Sequence, residues 1–362
     1  MFFKRKNTAG LGIDIGSQTI KAVEFENSGR GRQIKLAVRS ATPAGTLVDG
    51  VIADASRLAA AIADLVERYG WQGRAAITAI GGRRVVTRHL RMPVMPEKEL
   101  PAAVKWEAER HLPHANQEMV MDYQCLGEVQ AEGNKQLLVL VATVPVEIAR
   151  AYYDLFSAAH LKLVAIDLVP LALMRWATSQ LGNIAFNAKS FAMAEIGAEV
   201  TYLAAVESGR LAFARTIPAG GAQAAKFLSA ALKQSFPESR LWQDDLQRMK
   251  NSLPQSFLPL DEAAAALGET SLDFLLQNNL ADLTRELRRS LDYYRAQAPN
   301  SPINSVLLTG GMALLPGLQP FLARELDRQV EIGVIHGQET DAVTLDPGFC
   351  LATGLALREV AD

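Results

Sequence analysis

The sequence predicts an α/β fold of two domains, each built on a mixed sheet with flanking helices, the first carrying a small inserted subdomain. Three observations lead to it. Strands alternate with amphipathic helices along the chain, a three-stranded meander at the N-terminus recurs near residue 190, and a buried strand ending in Gly310-Gly311 follows a long helix. The 362 residues, 49% apolar and 21% charged, suffice to bury two cores.

Leu11 to Ile15 and Thr19 to Phe25 read as strands joined by a Gly-Ser turn, and Ile34 to Val38 completes the meander after Asn27-Ser28-Gly29. Asp54 caps the next helix, whose Leu58, Ile62, Leu65, Val66 and Tyr69 keep a period of about 3.6 residues until Gly70 ends it. Strand Ala75 to Ile80 follows. From Val85 to Met92 apolar residues mix with Thr87, Arg88, His89 and Arg91, as on a strand with one wet face, and Pro93 and Pro96 punctuate its exit. Leu100, Val104, Ala108 and Leu112 stripe a helix, and Leu137 to Thr143 makes a buried strand, so 85–145 reads as an insertion.

Phe191 to Ile196, Val200 to Val206 and Leu211 to Ile217 form the second meander, with Ser208-Gly209 at its later hairpin turn. Adding 181 to Asp14 gives Glu195, and adding it to Gly16 gives Gly197, so acid, spacer and glycine recur and indicate an internal duplication. A helix from Ser271 to Gln297 then leads to strand Ser305 to Thr309, the Gly310-Gly311 turn and a helix opening near Pro316. The expected first domain spans 1–186, with 85–145 inserted and the C-terminal helix, 346–362, returning to it; the second spans 187–345.

Charge and cysteine usage exclude several classes. A formal charge of -2 offers no basic excess for the phosphates of a nucleic acid. Cys125 and Cys350 form neither a disulfide framework nor a C-x-x-C metal pair, which fits a reducing cytosol. The Met1 to Lys6 segment lacks the apolar stretch of a secretory signal and reads as unprocessed. Apolar runs at Leu137 to Val146 and Leu161 to Leu173 fall short of the roughly 20 residues of a spanning helix, or are broken by Asp167 and Pro170. A soluble chain that meets a membrane only through a partner is expected. No G-x-x-x-x-G-K-[ST] occurs, and no strand precedes a G-x-G-x-x-G. Pro113 interrupts the His111 to His114 spacing, which reads as surface histidines. Glu286 and Asp292 interleave with Arg285, Arg288, Arg289 and Arg295, as on a solvated helix face.

The chemistry concentrates in three turns. Gly16 stands where one strand reverses into the next, so backbone N–H groups can approach a phosphate, with Ser17, Gln18 and Thr19 adding side-chain donors. Lys21 follows on the departing strand, where an ammonium neutralises phosphate charge. Asp14 would repel phosphate unless a cation intervenes; Mg²⁺, which keeps its waters, resolves this with Asp14 and Glu195 holding those waters from opposite sides. The plain alternative for the first turn is a glycine hairpin with a solvated aspartate. The third turn, Leu307 to Leu318 with Gly310, Gly311, Met312 and Ala313, presents a side-chain-free surface suited to an adenosine, or is merely a tight strand-to-helix turn.

Together the three turns resemble the actin, Hsp70 and sugar-kinase superfamily, with phosphate motifs at 12–21 and 195–199 and an adenosine motif at 307–318. Within it the chain resembles the PilM family of type IV pilus assembly proteins. That narrower likeness rests on Gly12-Ile13-Asp14-Ile15-Gly16-Ser17 with Lys21, on Met92-Pro93, on Val104 to Glu109 leading to Leu112-Pro113, on Asp122-Tyr123-Gln124, on Asp167 to Leu173 and on Arg289 to Tyr294.

The resemblance implies an actin-like ATPase fold holding ATP and Mg²⁺ between the domains, with Asp14, Gly16, Ser17, Gln18, Thr19, Lys21, Glu195, Gly197, Ala198, Gly220, Gly221, Lys250, Gly310, Gly311, Met312 and Ala313 at the nucleotide. It further implies a cytoplasmic scaffold, a monomer or weak homo-oligomer, peripheral at the inner membrane. Its implied partner is the N-terminal tail of PilN, an extended peptide in a groove beside the insertion, with other pilus components alongside. Two departures stand out. The second phosphate motif usually begins with Asp, where this chain has Glu195, and the family's nucleotide lysine after Gly220-Gly221 has its nearest counterpart in Lys250. Asp167 is the candidate for positioning an attacking water, at the end of a strand aimed toward the cleft. A small-molecule kinase of the same superfamily and an FtsA-like filament-forming division protein are the alternatives; the latter would carry a C-terminal amphipathic helix beyond Leu357 to Asp362.

Overall fold

The computed structural model describes residues 10–28, 31–111, 118–131, 133–179, 190–226, 269–315, 317–335 and 345–358. Its organising feature is one sheet architecture used twice. In the first sheet β1 (Leu11–Ile15), β2 (Thr19–Ser28) and β3 (Gly31–Ala41) form an antiparallel meander. After a short hairpin of β4 (Leu47–Val48) and β5 (Val51–Ile52) and helix α1 (Ala55–Tyr69), strand β6 (Ala75–Ile80) pairs parallel with β1. The insertion follows: β7 (Val86–Pro93), α2 (Leu100–His111), β8 (Met119–Ala131) and β9 (Asn134–Pro145), its sheet ordered β7-β9-β8. Then α3 (Val146–Ala158) leads to β10 (Lys162–Leu168), parallel to β6, and α4 (Val169–Ser179). The first sheet is therefore ordered β10-β6-β1-β2-β3.

The second sheet repeats this order as β13-β12-β11-β14-β15. Its meander is β11 (Ser190–Ile196), β12 (Thr201–Glu207) and β13 (Arg210–Ile217). Helix α5 (Glu269–Gln297), β14 (Ser305–Thr309), a 3₁₀ turn (Gly311–Leu314), α6 (Leu318–Leu326) and β15 (Gln329–Ile332) complete it, with β14 and β15 parallel additions. The chain closes with a 3₁₀ turn (Pro347–Phe349) and α7 (Cys350–Ala356). The helix anticipated near Pro316 starts at Leu318, after the 3₁₀ turn, and Pro316 lies outside the described residues.

Local chemistry sets these elements. Asp54 Oδ1 accepts from Arg57 N at 3.1 Å, and Gly70, in the left-handed region at φ 69°, returns its N–H to Val66 and Glu67 carbonyls, so α1 is capped at both ends. Ser208 and Gly209 both take positive φ, as a two-residue hairpin between right-twisted strands requires. Strands β1 and β14 are buried at every position because helices cover both faces of each sheet.

Three large cores result. Leu58, Ile62 and Val66 of α1 pack with Tyr152 and Phe156 of α3 against Leu11, Ile13 and Ile20 on one outer face. Leu280, Leu287 and Leu291 of α5 and Phe321 and Leu322 of α6 cover the outer face of the second sheet. Between the sheets, Leu173 and Trp176 of α4 and Leu351 and Leu355 of α7 pack with Ile77, Met193 and Leu307. The insertion has its own small core of Leu90, Met92, Val104, Val139 and Val141. Among the described residues, no helix is long and apolar enough to cross a membrane.

Candidate functional site

The β1–β2 ladder sets Asp14 opposite Lys21, and the β2–β3 ladder sets Lys21 opposite Arg39. Directly opposed residues share a face, so one acid and two bases form a row, and all three line a cleft of about 1110 Å³ open to solvent. Lys21 Nζ donates to Asp14 Oδ2 at 2.9 Å, and both residues are buried. Arg39 Nη2 donates to Asp346 Oδ1 and Oδ2 at 2.8 and 2.9 Å, and its guanidinium lies 4.7 Å from the centre of the Phe349 ring.

The second sheet contributes Glu195, opposite Tyr202 in the β11–β12 ladder. Burial and then the Asp14 charge push the Glu195 carboxyl up to about 7, with Lys21 opposing them. Its ladder partner Tyr202 reaches across to the first half, where its hydroxyl accepts from Gly82 N at 2.8 Å.

Gly16 N donates to Thr19 O and Gly197 N to Val200 O, each at 3.0 Å, so the two turns are built alike. A Cβ at Gly16 would stand 3.0 Å from Thr19 O and one at Gly197 2.8 Å from Val200 O. Among the described residues, the backbone N–H groups of Ser17, Gln18, Ala198 and Glu199 find no intrachain acceptor. Two consecutive N–H groups at a turn form a concavity for an anion.

Of the residues expected at a nucleotide, Asp14, Gly16, Ser17, Gln18, Thr19, Lys21, Glu195, Gly197, Ala198, Gly311 and Met312 line this cleft. Others stand behind it. A Cβ on Gly220 would meet Ala198 O at 2.4 Å and one on Gly221 would meet the Met312 side chain, so both glycines let the chain pack behind lining residues. Gly310 passes close to Ile196 O, and Ala313 is buried in the second sheet's core. Lys250 lies outside the described residues.

Asp167 is not brought into the cleft lining. Its carboxylate is buried between Arg175 Nη2 at 2.9 Å and Arg358 Nη1 at 3.1 Å, and it accepts from Leu168 N, so it ties α4 and the C-terminal segment to β10.

Lining residues that the motifs did not disclose include Arg39, Asp49, Tyr152, Tyr202 and Asp346. The duplication carries a signal for one of them, since adding 181 to Lys21 gives Tyr202. Asp49 pairs with Arg83 at 2.8 Å and Asp346 with Arg39, whereas Glu195 has no basic partner among the described residues. Two buried carboxylates, Asp14 and Glu195, with Lys21 ion-paired to Asp14, are a donor set that suits a hydrated Mg²⁺ carried in with phosphate. No cluster of three or more metal-ligating side chains occurs among the described residues.

A family model for type IV pilus assembly protein PilM matches residues 12–258 and 259–360. The structure of a PilM-PilN type IV pilus biogenesis complex is similar with a TM-score of 0.72 and 27% identity, over 99% of this chain and 100% of that one. Ethanolamine utilization protein EutJ from Carboxydothermus hydrogenoformans is similar in fold, with a TM-score of 0.52 and 16% identity over 98% of this chain and 90% of that one. The duplicated mixed sheets with helices between and outside them are the actin-like ATPase fold. With the family model spanning nearly its whole length, the chain belongs to the PilM family of type IV pilus assembly proteins.

Proposed function

We propose that the chain binds ATP with Mg²⁺ in its cleft and, so loaded, holds the cytoplasmic N-terminal tail of PilN, serving as a scaffold at the cytoplasmic face of the inner membrane. The observation that carries the nucleotide half is the convergence of two alike glycine turns with Asp14, Lys21 and Glu195 on one cleft. The turns offer N–H groups to the phosphates. Gly311 lines the same cleft, with nothing within 4 Å of where its Cβ would stand, which leaves room for an adenosine against backbone. Mg²⁺ would supply charge neutralisation for the phosphates, with Asp14 and Glu195 holding it through water. No water-positioning role is assigned to Asp167, whose carboxylate is held by two arginines, so the reading is one of binding rather than turnover.

In this reading the first domain spans 1–186 with 85–145 inserted and 346–362 returning to it, the second spans 187–345, and nucleotide favours their closed arrangement. The partner half is supported by family membership and by the likeness to a PilM-PilN complex. A solvent-open groove at the root of the insertion, its lining including Val85, Val86, Thr87, Pro170, Ala214 and Arg215, suits an extended peptide. Gly81, Val169 and Tyr202 line both this groove and the cleft, so a ligand in one abuts the wall of the other.

The test is an equilibrium titration of the chain with a peptide of the PilN N-terminal tail, with and without Mg-ATP. Binding that tightens with Mg-ATP is expected. Absence of binding under both conditions would defeat the partner assignment.

A further inference from the structure

The geometry points to Arg39 as a second phosphate receptor in the cleft, held in reserve by Asp346 until a nucleotide's phosphate chain arrives; this rests on the nucleotide reading above. The cations among the described lining residues are Lys21 and Arg39, set against the carboxylates of Asp14, Asp49, Glu195, Glu199 and Asp346. Lys21 already serves Asp14. A polyphosphate entering so acidic a cleft needs more positive charge than Lys21 supplies, even with a divalent cation beside it.

Arg39 has the placement and the spare valence. Its side chain is only 8% exposed, yet its Nε is buried without a hydrogen-bond partner. The Nε and Nη2 groups of a guanidinium form one edge, the fork that grips an oxyanion through two parallel bonds. Here the Nη2 half of that edge is engaged by Asp346 and the Nε half is idle. A buried donor left unmade is costly, and a phosphate oxygen would satisfy it.

Position supports the same conclusion. The end of β3 is stitched to the first turn, since Thr42 N donates to Gln18 O at 2.9 Å and Thr42 Oγ1 to Gly16 O at 2.7 Å. The Asp346 segment is stitched to the third turn, since Gly310 N donates to Pro347 O at 3.0 Å. Arg39 and Asp346 thus bridge the turn that would take phosphate and the turn that would take adenosine. A ligand spanning both turns passes the guanidinium. Asp346 is its counter-ion and also caps the 3₁₀ turn, with Oδ1 accepting from Gly348 N at 2.8 Å.

The experiment titrates adenosine, ADP and AMP-PNP, with Mg²⁺, into the full chain and into Arg39→Gln and Asp346→Asn. A receptor role predicts that Arg39→Gln weakens ADP and AMP-PNP about tenfold or more while adenosine binding holds. Asp346→Asn, which keeps an oxygen for Gly348 N but frees the guanidinium, tightens both nucleotides. If the two variants weaken nucleotide alike, or if adenosine binding falls in parallel, the pair only stabilises the fold and the proposal fails. Adenosine serves as the check that the cleft is intact. A parent chain that binds none of the three overturns the nucleotide reading and this one with it; a parent that binds all three while Arg39→Gln changes nothing overturns this one alone.

Discussion

Lys21 and Tyr202 hold the same place in the two sheets: each is the cross-strand partner of a cleft acid, Asp14 in one and Glu195 in the other. The duplication thus pairs an acid with an ammonium in the first half and an acid with a phenol in the second. Only the first acid is neutralised by its partner. The second partner turns instead to Gly82 N, bonding one half of the molecule to the other.

Tyr202→Phe removes that bond and leaves the N–H of buried Gly82 unmade. Net loss of such a bond, with the orphaned donor included, is about 1–3 kcal/mol. Urea unfolding should report a destabilisation of that order, and an unchanged midpoint would show that the contact is dispensable.

Lys21→Met leaves Asp14 as a buried charge without its cation, which costs about 3–5 kcal/mol. Adding Asp14→Asn to that variant should recover much of the loss, because the uncompensated charge is then gone. Denaturation of the two single variants and the double variant measures the coupling; additive losses would mean that the pair contributes nothing as a pair.

Gly354→Ala should destabilise by about 1–3 kcal/mol or more. The new Cβ would stand 1.9 Å from Ala172 O, so α7 can no longer approach α4. Thermal unfolding checks this, with Gly73→Ala, where nothing lies within 4 Å but φ is 70°, separating backbone conformation from steric contact. A smaller loss at Gly354 than at Gly73 would contradict the packing argument.

His89 of β7 gives the chain a pH dependence. Its ring Nε2 lies 3.2 Å from Leu211 O and donates to it, and burial depresses its pKa below 6.5, with that hydrogen bond opposing. The folded state therefore binds the proton less well than the unfolded chain. This share of stability is complete above about pH 6.5 and is lost as the pH falls below it. Parallel melts of the parent and His89→Gln from pH 7.5 to 5.5 should show the parent declining more steeply; parallel slopes would refute it.

Much of the fold is legible because local chemistry marks it. The Asp54 and Gly70 caps bound α1, and the short, mostly apolar strands β1, β6 and β14 match the structure to the residue. Strand β8 is harder to see because its alternation, with Asp122 and Gln124 on one side and Glu128 and Gln130 on the other, is interrupted by Leu126-Gly127 at a bulge between Cys125 and Gly127. Pro145, at the N-cap of α3, makes no side-chain hydrogen bond, so this helix lacks the polar cap that marks α1.

The site divides the same way. Turn glycines are short-range patterns, so the cleft's two glycine turns can be read directly. Gly12 belongs to the same motif for a different reason: its Cβ would stand 2.2 Å from Ala352 O, so it makes room for α7. Arg39 escapes notice because a bulge between Glu24 and Phe25 shifts the β2–β3 register, and without that register its alignment with Lys21 is hidden. Asp346 meets it from 307 residues away, a pairing no local pattern encodes. Asp167 has the residue type and strand-end position of a cleft acid, and only the packing of Arg175 and Arg358 shows that its carboxylate is engaged elsewhere.

The central claim is that Asp14 and Glu195 make the cleft a Mg-nucleotide site. Calorimetric titration of ATP into the parent chain and into Asp14→Asn and Glu195→Gln, each with Mg²⁺ and with EDTA, tests it most directly. The account predicts saturable ATP binding by the parent that weakens at least about tenfold in EDTA, and a Mg²⁺ dependence that shrinks in both variants. ATP binding of equal strength with and without Mg²⁺, in parent and variants alike, would contradict it.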